Sequence, residues 1–256
     1  MDFMFSVRRV LLFVLISVTF FGCAQGILEG NHSFQLQGGD LLFQDLDCGE
    51  LCDAIEKVTT GYQGMRFSHA GIVAKGDGGH FVVIEAVSSG VRVTPLKTFL
   101  GRSFDSKHHP KVVVGRLKEP YRHLIPSALE EAFTLTGKPY DRIFAIGNDA
   151  YYCSELIYEV FLRANANNPI FKLQPMTFKD PDTGVTLPAW EGYFSKLGVP
   201  VPESQPGINP GAISRSPILT VVHKYGTPSR SGIKNARKCK KYRLDARCQT
   251  YKSTAV

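Results

Sequence analysis

Three short apolar runs follow one another between Ser68 and Leu96 with only glycine-rich turns between them, and nothing else in the chain restricts its fold as tightly. The runs are Ser68 to Lys75, His80 to Ser88 and Val91 to Leu96, rich in the β-branched residues that suit a pleated sheet. Gly76-Asp77-Gly78-Gly79 separates the first two and Ser89-Gly90 separates the next, and such residues reverse a chain at low steric cost. Strands joined this closely pair antiparallel, because a parallel pair needs a long crossover. Gln37 to Asp45, entered through Gly38 and Gly39, and Lys111 to Lys118 read as further strands.

Helical signals stand around and after this group. Asp53 to Thr60 reads as a short helix, and Ile125 to Thr136 as a longer one, with Pro126 near its start and Gly137 past its end. From about Ala150 to Ala164 the apolar positions Leu156, Ile157, Val160, Phe161 and Ala164 keep the spacing of a core-facing stripe. Ten of the 15 prolines fall between Pro169 and Pro228, which predicts long irregular segments there. Residues 37–226 therefore read as one α+β domain with an antiparallel sheet packed against helices.

The 256-residue chain has a net charge of +7, and position decides what that means. Residues 228–256 hold nine Lys and Arg against Asp245 alone, and Arg8 and Arg9 stand near the start, so the remainder is slightly acidic. A nucleic-acid-binding domain is disfavoured, and residues 227–256 read as a basic, mobile tail. Residues 1–24 read as an export signal: Arg8 and Arg9, then an apolar run from Val10 to Phe21, then Gly22, Cys23 and Ala24. A run of about a dozen residues is short for a membrane span. Cleavage before Cys23 with lipidation of its thiol, and cleavage after Ala24, both fit. The expected location is the periplasm or cell envelope, with membrane attachment if Cys23 is lipidated.

Export changes how the cysteines count. Cys48, Cys52, Cys153, Cys239 and Cys248 remain, an odd number, which in an oxidising compartment leaves one thiol over. Cys48 with Cys52, and Cys239 with Cys248, are close enough to close short loops, so Cys153 is the candidate free thiol. A zinc site is the rival reading, but no further Cys or His pair at ligand spacing accompanies these residues, and no metal or other cofactor is expected.

Continuing the helical stripe back one turn from Leu156 places Cys153 in the opening turn, where unpaired N–H groups and the helix dipole favour thiolate. A small buried core residue is the alternative. A nucleophilic thiol needs a base, and the base an orienting group. Of seven histidines, His69 stands out within the strand-like Ser68-His69-Ala70-Gly71-Ile72-Val73, although a sheet histidine with satisfied hydrogen bonds would look the same. With a three-residue loop at Gly76-Asp77-Gly78, Lys75 pairs with Gly79 and His69 faces Glu85, whose carboxylate then holds the imidazole. A two-residue loop at Asp77-Gly78 would pair His69 with Ala86 and send Glu85 to the other face. If Glu85 is the orienting group, an amide in its place should be a mild change.

At these residues the chain resembles the permuted papain-like cysteine hydrolases of the YiiX and YebB group, relatives of the NlpC-type cell-wall amidases. The matching segments run in order: Gly39-Asp40-Leu41-Leu42-Phe43, Phe67-Ser68-His69-Ala70-Gly71-Ile72-Val73 and Val83-Ile84-Glu85-Ala86, then Gly90-Val91-Arg92-Val93-Thr94-Pro95-Leu96, Gly137-Lys138-Pro139-Tyr140-Asp141 and Tyr152-Cys153-Ser154-Glu155-Leu156. The resemblance implies a circularly permuted papain-like fold in which the base strand precedes the nucleophile helix. It implies Cys153 as nucleophile, His69 as general base and Glu85 as third member, with Tyr140 near the site as an auxiliary group or simply a half-buried aromatic. The implied activity is hydrolysis of amide or acyl bonds in envelope components through a thioacyl-enzyme. Cell-wall peptides and lipid acyl groups are both open as substrates. A lipid acyltransferase of the same fold, and an envelope binding module without turnover, are the competing functions.

Overall fold

The computed structural model describes residues 34–230; residues 1–24, read from the sequence as an export signal containing Cys23, the candidate pair Cys239 and Cys248, and residues 231–256 lie outside the described residues. In chain order the elements are β1 (Leu41–Gln44), α1 (Glu50–Val58), β2 (His69–Lys75), β3 (Phe81–Val87), β4 (Gly90–Pro95), α2 (Leu96–Leu100), β5 (Val112–Leu117) and α3 (Ile125–Thr134). They continue with α4 (Cys153–Ala164), β6 (Gln174–Pro175), α5 (Pro188–Leu197), β7 (Pro206–Gly207), α6 (Pro210–Ser214) and β8 (Leu219–Lys224). The main sheet has the order β4-β3-β2-β1-β5-β8, with every neighbouring pair antiparallel.

Alternation along the strands divides the interior into two layers. Leu41, Phe43, Ala70, Ile72, Ile84, Val113 and Leu117 point to one face, where they pack with Leu156, Val160 and Phe161 of α4 and Ala128 and Ala132 of α3. Leu42, Val73, Val83, Val112 and Val114 point to the other face, which the buried ring of Phe99 from α2 covers. Burying a Phe side chain of this kind contributes about 1.5–3 kcal/mol.

The β2–β3 connection is longer than a three-residue loop. Lys75 pairs with Phe81 and Ile72 with Ile84, and the loop closes with Gly76 N–H donating to His80 O at 2.9 Å. The pairing has moved by two positions relative to the three-residue expectation. A two-position move keeps every side chain on its face, whereas a one-position move would have turned them over. The next hairpin is tight, with Val87 paired to Gly90. Gly90 has φ +105° there, and a Cβ at that position would lie 2.4 Å from the Lys138 carbonyl oxygen, so a side chain is excluded on both counts.

Two sequence expectations need correction. The helix drawn from about Ala150 begins at Cys153, because Tyr152 is still extended at φ −90° and ψ 168°. The proline-rich stretch is more ordered than expected: α5 and α6 carry Pro188 and Pro210 in the opening turn, where proline's missing N–H costs nothing, and β8 completes the sheet beside β5. Past Gly226 the described chain is tied down. Thr227 N–H donates to Asp105 Oδ2 at 3.0 Å, and Ser229 gives both its N–H and its hydroxyl to Asp45 Oδ2, at 2.7 and 2.8 Å.

Candidate active site

Glu85 is fully buried in the middle of β3, and a lone carboxylate there would be prohibitively costly. Continuing the register places it across from Gly71, where a Cβ would lie 3.3 Å from Glu85 Cβ and 2.5 Å from Val83 Cγ1. The absent side chain at Gly71 leaves room for the glutamate to lean diagonally along β2 toward His69. His69 Nε2 and Glu85 Oε2 are 2.6 Å apart. Glu85 Oε1 accepts from Thr94 Oγ1 at 2.5 Å, and Arg102 grips both oxygens, with Nη1 donating to Oε2 at 2.7 Å and Nη2 to Oε1. Arg102 also lies over the ring of Phe99, 5.2 Å from its centroid.

Cys153 is the first residue of α4 and is 7% exposed. Its neighbours in sequence fix its orientation through one segment: the Tyr152 hydroxyl accepts from Ile208 N–H at 3.1 Å, and the Ser154 hydroxyl donates to Ile208 O at 3.0 Å. The thiol hydrogen-bonds the His69 imidazole, and Ala70 N–H donates to the sulfur. With Nε2 engaged by Glu85, Nδ1 is the nitrogen left for Cys153.

Charge follows from these contacts. Burial alone would keep His69 neutral, but hydrogen bonds to Cys153 and Glu85 outweigh it and raise its pKa to about 9. Burial alone would also raise the Cys153 thiol, yet the hydrogen bond and charge of His69 pull it below its ordinary 9.0. Burial works against ionised Glu85 as well, and His69 and Arg102 hold it well below the carboxylate range. The arrangement favours a thiolate–imidazolium pair backed by a carboxylate.

Tyr140 is half-buried in the same cavity wall as Cys153, and burial together with the Cys153 charge pushes its pKa well above 10.0, so it stays a neutral phenol. The cavity measures about 220 Å³ and exposes Cys153, while His69 and Glu85 stand behind the thiol outside its lining. Cys48 and Cys52 are joined in a disulfide at the start of α1, and Cys153 is the free cysteine among the described residues. Arg102, Thr94 and Gly71 were not singled out from the sequence. Strand alternation from Glu85 through its partner Arg92 could have flagged Thr94, whereas Arg102 lies beyond α2, where no periodicity points to it.

An antiparallel sheet whose strand histidine precedes, in the chain, the helix that opens on the thiol is the papain-like layout with its segment order permuted. Residues 35–223 match the model of the permuted papain-like amidase enzymes, YaeF/YiiX, C92 family, and the chain belongs to that family. It is similar to the uncharacterized protein YiiX of Escherichia coli strain K12, 27% identical over 219 residues that cover 85% of this chain and 95% of that relative. It is also similar to the crystal structure of metalloprotein yiiX from Escherichia coli O157:H7, DUF1105, at a TM-score of 0.61 and 26% identity, over 75% of this chain and 99% of that one.

Proposed function

We propose that the protein is an exported cysteine hydrolase that cleaves amide or acyl bonds of envelope components, with Cys153 as nucleophile, His69 as general base and acid, and Glu85 as the group that orients and charges the imidazole. The observation that carries this reading is the buried hydrogen-bonded chain from Cys153 through His69 to Glu85, closed by Arg102. The Cys153 thiolate attacks the carbonyl carbon, a C–S bond forms, and the π electrons move to oxygen. In this reading the Cys153 N–H and the neutral phenol of Tyr140, which lines the same cavity, donate to that oxyanion. Collapse breaks the C–N or C–O bond, and the leaving group takes the proton from His69. Water then attacks the thioester as His69 accepts its proton, giving a carboxylic acid and restoring the ion pair.

Export rests on the sequence of residues 1–24, and the Cys48–Cys52 disulfide suits an oxidising compartment. Attachment through lipidated Cys23 belongs to the same proposal. The related Escherichia coli structure is described as a metalloprotein. Among the described residues of this chain no three His, Cys, Asp or Glu side chains could hold a metal, and Glu85 is already shared among His69, Thr94 and Arg102. The donor set does not fit a metal centre, and no step is routed through one.

The test compares wild-type protein with Cys153→Ser and His69→Ala on cell-wall peptide fragments and, separately, on phospholipids. Turnover of one class by the wild type and its loss in both folded variants is the expected result. Turnover that survives in both variants refutes the reading, and binding without turnover in all three favours the binding module.

A further inference from the structure

The proposed hydrolase reading leaves the substrate open, and the cavity beside Cys153 narrows it. Its lining includes the apolar surfaces of Trp190, Phe178 and Met176 and the polar groups of Thr60, Gln174 and Asn209. Among the described residues Arg215 is the one cationic side chain in that lining, where the Cys153 thiolate is the other charge, and it makes no ion pair. Its backbone is held at the end of α6, with its N–H donating to Gly211 O and Ala212 O at 3.3 and 3.2 Å, and Asn209 Oδ1 accepts from Ala212 N–H at 2.7 Å to cap the same helix. That segment is continuous with Ile208, which fixes Tyr152 and Ser154 on either side of the nucleophile. An exposed cation in the wall of a cavity with no carboxylate in its lining is complementary to an anion. Size discriminates between anions: an apolar cavity of about 150 Å³ holds a benzene ring, so 220 Å³ suits a residue-sized group better than a long acyl chain.

Resting on that hydrolase reading, we infer that Arg215 receives a free carboxylate of the substrate, and that the site takes short peptides or N-acyl amino acids whose scissile amide lies near a carboxylate. The planar guanidinium matches a carboxylate two bonds at a time, which lysine cannot do. The amide and hydroxyl groups at Gln174, Asn209 and Thr60 supply donors and acceptors suited to a peptide backbone.

The experiment measures binding by calorimetry on Cys153→Ala protein, which cannot turn over, with N-acetylglycyl-phenylalanine and with its C-terminal amide. The carboxylate form should bind about tenfold more tightly than the amide. Arg215→Gln should bring that ratio to about one by weakening the carboxylate form alone, Arg215→Lys should keep part of it, and added salt should shrink it. Arg215 is exposed, so the substitutions leave folding intact. Equal affinity for the two forms, no binding of either, or equal weakening of both in Arg215→Gln overturns the inference. Tighter, Arg215-dependent binding of dihexanoyl phosphatidic acid would overturn it in favour of a phosphate. Failure of the hydrolase reading shows separately, as absence of Cys153-dependent turnover with any substrate.

Discussion

Replacing Glu85 by glutamine changes one oxygen to an NH2 group, and from the sequence alone that is a mild substitution. Arg102 reverses the expectation. The Glu85 carboxylate accepts from Thr94, from both terminal nitrogens of Arg102 and from His69. An amide has one accepting oxygen, and Arg102 has only donors to offer. Arg102 holds both oxygens, one with each terminal nitrogen, so the NH2 of glutamine meets one of its donors in either orientation; with the amide oxygen toward Thr94 and Arg102 Nη2, the NH2 points at His69 Nε2. His69 then accepts at Nε2, carries its proton on Nδ1, and has no lone pair for the Cys153 proton. Loss of the correct tautomer in a comparable triad lowers turnover about 10⁴-fold. The thiol reports the same event without a substrate: at its ordinary pKa of 9.0 a cysteine is only about 0.3% thiolate at pH 6.5. Iodoacetamide labelling of Cys153 at pH 6.5, followed by peptide mass spectrometry, should slow by on the order of 10²-fold in Glu85→Gln. The double variant Glu85→Gln, Arg102→Gln frees the amide to rotate and should recover part of that rate. A single variant within about threefold of wild type, or a double variant no faster than the single, would refute the reasoning.

Three further outcomes follow from the same contacts. Gly71→Ala puts a methyl 2.5 Å from Val83 Cγ1; overpacking of this kind costs about 1–3 kcal/mol, so the melting temperature should fall by several degrees and Cys153 labelling should slow, and no change in either would show that the empty space at Gly71 is incidental. Glu155, buried near Asp141, has its pKa raised from 4.5 to about 8, so its effect on stability is favourable below 4.5, declines as the unfolded carboxyl ionises, and levels off above 8; Glu155→Gln should flatten the fall in melting temperature between pH 5 and pH 8, and an unchanged slope counts against it. Native protein alkylated without reductant should carry label on Cys153 and none on Cys48 or Cys52, and Cys153 recovered in a disulfide of the active form would exclude it as nucleophile.

The strands were legible because glycine and serine punctuate them, and the helix of Cys153 because its apolar stripe runs back to the thiol. Register was not legible. Whether His80 belongs to loop or strand decides how Lys75 pairs, and nothing local settles that; the side-chain period of two is what kept His69 and Glu85 on one face despite the longer loop. Prolines read as breakers concealed α5 and α6, although Asn209-Pro210 and Gly198 are ordinary start and stop signals. Arg102 and Arg215 reach the site from segments remote in sequence, and tertiary packing alone brings them there.

In the proposed reaction Cys153 becomes acylated by the substrate. Wild-type protein incubated briefly with cell-wall peptide fragments and, in a parallel reaction, with phospholipids is quenched in acid and digested, and the Cys153 peptide is weighed. A mass increase equal to the substrate's acyl group on Cys153, lost on treatment with hydroxylamine and missing in His69→Ala, is the predicted result. Product formation with Cys153 unmodified at every time point, and undiminished in Cys153→Ala, would contradict it.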